Sequence, residues 1–379
     1  MKQMGFGMMR LPQTDKNDAK SVNQEQVNKM AEVFMEKGFT YFDTAYPYHD
    51  GVSEVALRKS VVEKYPRDSF IIADKLPIFA INKEEQLEPI FSEQLERLGV
   101  DYFDYYLLHN VSGLSEAGYI DVDSFKFAIE KKKEGKIKHL GLSSHANAEY
   151  LDNVLNQYPE MEFIQLQMNY LDWESEAVES RKVYEVARKH NLPVIVMEPL
   201  KGGFLSDVPE EAEKLMRDYN GQSPVEWALR FVAGLDDVFM VLSGASSLEQ
   251  IEENMDFFED IKPLNDEELE IIDKVVDIIN SQITVPCTKC NYCISSCPKN
   301  INISYIFDLY NQEMIDHQVF TPIGNAYLNY SKLEKTGLAS ECIECGACQQ
   351  HCPQELDIPK YLKEAAEIFE TPMYGFNTE

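Results

Sequence analysis

Cysteine is absent from the first 286 residues of this 379-residue chain; all eight cysteines lie between Cys287 and Cys352. A disulfide-stapled secreted protein does not confine its cysteines in this way, and a chain this long has no need of such staples. No run of about 18 apolar residues occurs, so no membrane span is expected, although 44% of the residues are hydrophobic. Residues 1–7 lack the basic, apolar and small-residue regions of a signal peptide, and the expected location is the cytoplasm. Positive charge is scarce. The 35 Lys and Arg against 65 Asp and Glu leave a formal net charge of -30. Such a surface repels phosphate backbones, which argues against nucleic acid as a partner. It suits solubility, or an acidic face offered to a redox partner. Long repeats and low-complexity stretches are missing too.

The cysteines form two matched motifs: Cys287-x2-Cys290-x2-Cys293-x3-Cys297-Pro298 and Cys342-x2-Cys345-x2-Cys348-x3-Cys352-Pro353. Three cysteines spaced by two residues can wrap one [4Fe–4S] cubane, each thiolate reaching a different iron. The fourth, followed by proline, turns away and in two-cluster ferredoxins ligates the other cluster. The expected sets are therefore Cys287, Cys290, Cys293 and Cys352 for one cluster, and Cys342, Cys345, Cys348 and Cys297 for the other. Structural zinc sites use two separated pairs, a poor match to a repeated triple. The spacer between the motifs, residues 298–341, is long, and residues 303–310 carry helical spacing. The cluster domain is thus expected to resemble the helical ferredoxins of iron–sulfur reductase subunits rather than the compact hairpin type.

The remainder alternates apolar strand-like runs with amphipathic stretches. Strands are expected at residues 4–9, 41–44, 70–75, 103–109, 137–143, 163–168, 194–199 and 238–243, with helices such as 83–98, 175–190, 224–233 and 248–258 between them. Ser223-Pro224 reads as an N-cap followed by proline in the first helical position. Eight strand–helix units imply an α/β fold, a (β/α)8 TIM barrel, rather than an open sheet. A last helix opens near Asn265 and runs to about Asn280, and residues 281–286 read as a hinge. The expected domains are a barrel over 1–281 and a small, mainly helical ferredoxin-like domain over 282–379.

In such a barrel the C-terminal ends of the strands meet at one mouth. Asp43, Lys75 and His109 end three of the expected strands, and Tyr48 follows the first of these. This set suits carbonyl reduction. Hydride reaching a carbonyl carbon leaves an oxyanion that needs a proton. A tyrosine can supply it, a lysine ammonium lowers the tyrosine pKa, an aspartate holds the lysine, and a histidine orients the carbonyl. Tyr46 competes with Tyr48 for the acid role.

The segments Phe42-Asp43-Thr44-Ala45-Tyr46-Pro47-Tyr48, Ala73-Asp74-Lys75 and Tyr105-Tyr106-Leu107-Leu108-His109 resemble the tetrad motifs of the aldo-keto reductases. The resemblance extends over roughly residues 1–281 and favours Tyr48 as the acid. It implies that Ser143, Ser144 and Gln165 receive the nicotinamide carboxamide. It also implies that Met197 stands where an aromatic ring usually stacks on the nicotinamide. Pro199 and Leu200 in one loop, and Gly244, Ser246, Gln250, Glu253 and Asn254 in another, are implied to hold the rest of the coenzyme. The fused cysteine motifs point to the ferredoxin-bearing branch found in anaerobic prokaryotes. Glu198 replaces the small hydroxyl common in the family. Gly244 and Gln250 stand where NADPH-preferring members carry basic residues, with Lys201 as the nearby cation that could compensate.

These features imply an NADPH- or NADH-dependent oxidoreductase acting on a small carbonyl or alcohol, joined to two [4Fe–4S] clusters. Nicotinamide moves two electrons as hydride, whereas a cluster moves one, and a flavin normally mediates that split. No flavin motif is recognisable. Two other readings stand beside the first. In one, the barrel binds a flavin or a redox partner, a ferredoxin or flavoprotein, and the chain is an electron carrier. In the other, it is a non-catalytic redox sensor.

Overall fold

The computed structural model describes residues 1–15, 18–112, 121–175, 178–316, 327, 331 and 335–371. Eight parallel strands pair in chain order: β1 (Met4–Gly7), β2 (Tyr41–Asp43), β3 (Ile71–Leu76), β4 (Phe103–Leu108), β5 (Ile137–Ser144), β6 (Phe163–Gln167), β7 (Val194–Met197) and β8 (Val238–Ser243). β8 returns to β1, with Leu242 opposite Gly5, and closes the barrel. Each strand falls on a run expected from the sequence. β1 and β7 stop two residues early. The chain turns at Met8–Arg10 after β1, and after β7 Glu198 adopts the left-handed φ of 56°.

Side chains alternate between the two faces of a strand, and this sets the position of the site. Tyr41, Ala73, Leu107, Phe163, Ile195, Met240 and Leu242 pack as the barrel interior. Gly141 leaves room for one of them: a Cβ there would lie 2.5 Å from the Phe163 carbonyl oxygen and 2.7 Å from its ring. One inward step further along the same strands stand Asp43, Lys75, His109, Ser143, Gln165 and Met197. The candidate site is therefore the polar lid of a packed core, at the strand ends where such barrels carry their chemistry.

The helices between residues 24 and 282 are α1 (Gln24–Glu36), α2 (Val52–Leu57), α3 (Leu87–Leu98), α4 (Ser124–Lys133), α5 (Ala148–Gln157), α6 (Ser180–Lys189), α7 (Glu210–Asn220), α8 (Pro224–Ala233), α9 (Leu248–Glu259) and α10 (Asp266–Gln282). Asn23, Asp123, Asn147, Ser223 and Ser247 cap α1, α4, α5, α8 and α9, each side chain accepting a backbone N–H of the first turn. Residues 176–177 of the helix expected over 175–190 lie outside the described residues. α10 runs through Gln282 and so takes up the start of the expected hinge.

Contacts divide the chain into two compact units, Met1–Asp207 with Met216–Leu269, and Val208–Leu215 with Glu270–Glu379. The second has its own core. Ile303, Phe307 and Leu309 from α11 (Ile303–Asp316) pack with Ile358, Leu362 and Phe369 from α12 (Ile358–Phe369). Ile301 pairs with Gly337, where a Cβ would fall 2.2 Å from the Lys299 carbonyl, so only glycine fits. α11 confirms a helix over residues 303–310 and extends it. Residues 317–326, 328–330 and 332–334 of the spacer lie outside the described residues. Among the described residues, no helix is long and apolar enough to cross a membrane.

Candidate active site and cysteine cavities

Lys75 Nζ donates to Asp43 Oδ1 at 2.6 Å and to the Thr44 carbonyl at 2.7 Å. Both side chains are buried, and an ammonium at that depth requires such partners. Nζ lies 4.9 Å from the centroid of the Tyr48 ring. That ring meets His109 edge-on, with centroids 5.9 Å apart. The four residues picked out in the sequence thus converge. Tyr46 does not join them: its hydroxyl donates to Glu93 at 2.9 Å, and its ring lies 4.3 Å from the Arg97 guanidinium.

A tight turn presents Tyr48. His49, Asp50 and Gly51 follow it at φ of 51°, 51° and 86°, three left-handed residues in succession. His49 braces the turn. Its Nε2 accepts the Leu11 N–H at 3.1 Å, so Nδ1 carries the proton and donates to the Ala19 carbonyl at 2.9 Å.

Burial dominates the electrostatics. It raises the Tyr48 hydroxyl above its ordinary pKa, and although Lys75 pulls in the opposite direction, as the sequence suggests, burial prevails. Burial alone would lower Lys75, but Asp43 and Tyr48 more than offset it and keep the ammonium protonated. His109 falls well below 6.5, through burial first and the Lys75 charge second, and is a neutral imidazole. Its Nδ1 has no hydrogen-bond partner among the described residues. The half-exposed Phe79 flanks it, ring centroids 5.4 Å apart.

The expected coenzyme residues divide into two groups. Ser143 Oγ accepts the Asn110 N–H at 2.9 Å, and Gln165 Oε1 is buried without a partner among the described residues. Ser144 is occupied by the backbone, donating to the Val111 carbonyl at 2.8 Å and accepting from the Ala146 N–H at 3.0 Å. Met197 is half-buried at the inner wall, Pro199 is buried and Leu200 half-buried. In the loop after β8, Gln250 Oε1 accepts the Ser246 N–H at 2.8 Å, and Asn254 donates to Ser243 Oγ at 2.8 Å. Glu253 is exposed on α9.

Lys201, the cation noted in the sequence, already has an acidic partner. Its Nζ is held by Asp172 at 2.5 Å, and Asp172 also accepts from Gln167 and Asn169. A second cation nearby is Arg10, a residue for which the sequence carried no signal. Its side chain lies along Gly244, where a Cβ would be 3.5 Å from Cδ, and reaches Gly202, where a Cβ would be 3.2 Å from the guanidinium. The Arg10 carbonyl accepts from Ser246 Oγ at 2.8 Å. Among the described residues, the ionic partner of its guanidinium is Glu198, at a loose 3.7 Å.

The cysteines gather around two cavities. Cys287, Cys290, Cys293 and Cys352 line one; Cys297, Cys342, Cys345 and Cys348 line the other. Ile303 borders both. Among the described residues, no group of three His, Cys, Asp or Glu is placed to hold a single metal ion. Burial raises the Cys293 thiol to about 12, so a metal centre there must displace protons as it binds.

Residues 3–277 match the model of the Aldo/keto reductase family, and residues 286–356 that of the 4Fe-4S dicluster domain. The chain belongs to the aldo/keto reductase family. The NADH-specific methylglyoxal reductase of Escherichia coli is 26% identical over 263 residues, covering 58% of this chain and 78% of that protein. An aldo-keto reductase of Mycolicibacterium vanbaalenii is 26% identical over 226 residues, covering 59% and 75%. The holo form of an aldo-keto reductase from Bacillus halodurans superimposes with a TM-score of 0.58 at 26% identity, covering 72% of this chain and 91% of that one. An aldo-keto reductase of Klebsiella pneumoniae in complex with NADPH has the same fold, with a TM-score of 0.59 at 21% identity.

This aldo/keto reductase is an oxidoreductase with an iron–sulfur domain at its C-terminal side. Its barrel mouth pairs a buried ammonium with a phenol, and the unpartnered Gln165 oxygen offers an acceptor to a primary amide. That donor set fits a nicotinamide. Arg10, Phe79, His49 and Asp172 were not apparent from the sequence, because loop geometry rather than periodicity places them.

Proposed function

We propose that the barrel interconverts a carbonyl and an alcohol by hydride exchange with NADPH or NADH, with Tyr48 as the proton donor. The observation that carries this reading is the Lys75 ammonium, held 2.6 Å from Asp43 and beside the Tyr48 ring, with neutral His109 edge-on to that ring. The nicotinamide, when bound, supplies the hydride for the carbonyl carbon. Tyr48 gives its hydroxyl proton to the carbonyl oxygen, Lys75 stabilises the phenolate left behind, and His109 orients the carbonyl. Solvent then returns the proton to Tyr48. Ser143 and Gln165 orient the carboxamide, Met197 packs against the ring, and Arg10 meets phosphate.

The reading takes residues 1–281 as the catalytic domain and 282–379 as the cluster domain, in a cytoplasmic protein. Two [4Fe–4S] clusters, one on Cys287, Cys290, Cys293 and Cys352 and the other on Cys297, Cys342, Cys345 and Cys348, fit the two four-cysteine cavities. They handle single electrons, for which a ferredoxin or flavoprotein is the fitting partner.

The test is Tyr48→Phe. Nicotinamide binding, read by fluorescence quenching, should persist, while carbonyl reduction falls by about 10²–10⁴. Undiminished turnover across a panel of aldehydes and ketones would refute the assignment.

A further inference from the structure

The two cysteine cavities are bordered by equivalent positions of the two motifs, and the equivalent residues differ in chemistry. Thr288, Asn291 and Gln354 border the cavity of Cys287, Cys290, Cys293 and Cys352; Ile343, Gly346 and Lys299 border the other. Each trio follows the first cysteine, the second cysteine and the crossing Cys-Pro pair. Ile343 is 57% exposed and Lys299 is exposed, so the second cavity has an apolar residue, a glycine and a solvated cation where the first has three polar side chains.

Gln354 differs from the other five. Its Nε2 is buried and has no hydrogen-bond partner among the described residues, a state that costs about 1–3 kcal/mol when nothing compensates it. The cavity that Gln354 lines has four cysteine sulfurs around it. A cluster held there presents sulfurs as acceptors.

We propose that Gln354 donates an N–H···S hydrogen bond to the cluster held by Cys287, Cys290, Cys293 and Cys352, and that this bond raises that cluster's reduction potential. A cluster gains one negative charge with each electron. A donor aimed at its sulfurs therefore stabilises the reduced form more than the oxidised form, and hydrogen bonds to sulfur are among the recognised determinants of potential. The equivalent residue, Lys299, is solvent-exposed, so its charge is screened and makes no equivalent buried bond. The two clusters are then unequal, although their cysteine motifs match. This inference rests on the two-cluster reading above.

The experiment uses the full chain purified without oxygen. In Gln354→Leu, iron and sulfide per chain should equal those of the wild type. An EPR-monitored redox titration with dithionite should show the midpoint of one cluster lowered and that of the other in place. Full iron content with both midpoints unchanged would overturn the role of Gln354. A wild-type chain without iron and sulfide for two clusters would instead overturn the two-cluster reading. A second measurement needs no variant. In wild-type protein labelled with 15N at the glutamine side-chain amide, pulsed EPR of the reduced protein should show a 15N coupling. Its absence would also overturn the proposal.

Discussion

At the scale of single residues, burial governs the site more than pairing does. His109 is depressed well below 6.5 and Tyr48 is raised above 10.0, both chiefly by desolvation. The signs follow directly. A histidine with a lowered pKa is neutral throughout the range near pH 6–8 where an ordinary histidine titrates. A phenol with a raised pKa keeps its proton throughout that range. Carbonyl reduction should therefore show a flat pH–rate plateau across neutrality, while alcohol oxidation, which needs the phenolate, should keep rising with pH beyond 10.0. Steady-state kinetics in both directions check this; an inflection near pH 6.5 in reduction would count against it. Arg10 supplies a second prediction. Arg10→Ala should raise KM for the nicotinamide nucleotide about tenfold, the value of one charge-assisted bond, with kcat little changed. The sequence made the tetrad legible because each member ends a strand-like run. It did not reveal Arg10, which lies in a turn with no periodic pattern, or the commitment of Lys201, whose partner Asp172 lies far away in the chain.

At the scale of elements, β3 serves two layers. Lys75 faces the barrel interior, and its neighbour Asp74 faces the helices. There Asp74 meets Glu54 of α2, and Arg97 of α3 donates to Glu54 at 2.8 Å. Burial first, and each carboxyl's charge on the other, hold Asp74 well above the usual carboxylate range. A carboxyl whose folded pKa is raised contributes stability below its unfolded pKa and loses it as pH rises through the folded value. Asp74→Asn keeps an acceptor for the Lys75 N–H and removes the titration. It should gain thermal stability relative to wild type as pH rises from about 5 to 8, by about 1 kcal/mol, or roughly 2–4 °C. Thermal unfolding at the two pH values is the measurement; an equal difference at both would refute it. The strands themselves were legible because each is an apolar run, and Ser223-Pro224 marked the start of α8. The ends were less so. Glu198 stops β7 by turning left-handed, and α10 continues through Ser281, where composition suggests a hinge.

At the scale of the whole molecule, the cysteine spacing was the most legible feature, since a repeated triple with a crossing fourth residue leaves few arrangements. Cys297 belongs to the first motif in sequence and to the second cavity in space. Cys297→Ser should therefore perturb the EPR signal of the cluster wrapped by Cys342, Cys345 and Cys348, and spare the one beside Cys290. Iron analysis with EPR checks the assignment; loss of the other signal alone would reverse it. The barrel closes where β8 meets β1. Directly above that seam, Arg10 from the first loop lies along Gly244 from the last, and Ser246 bonds the Arg10 carbonyl. On the proposed function, a nucleotide gripped at that point would act as a clasp across the two ends of the barrel sequence. At a hundredfold excess over Kd, a ligand that binds only the folded form adds about 2.7 kcal/mol. Resistance of this enzyme to heat and proteolysis would then track the cell's nicotinamide supply, and a starved cell would shed it faster than a fed one.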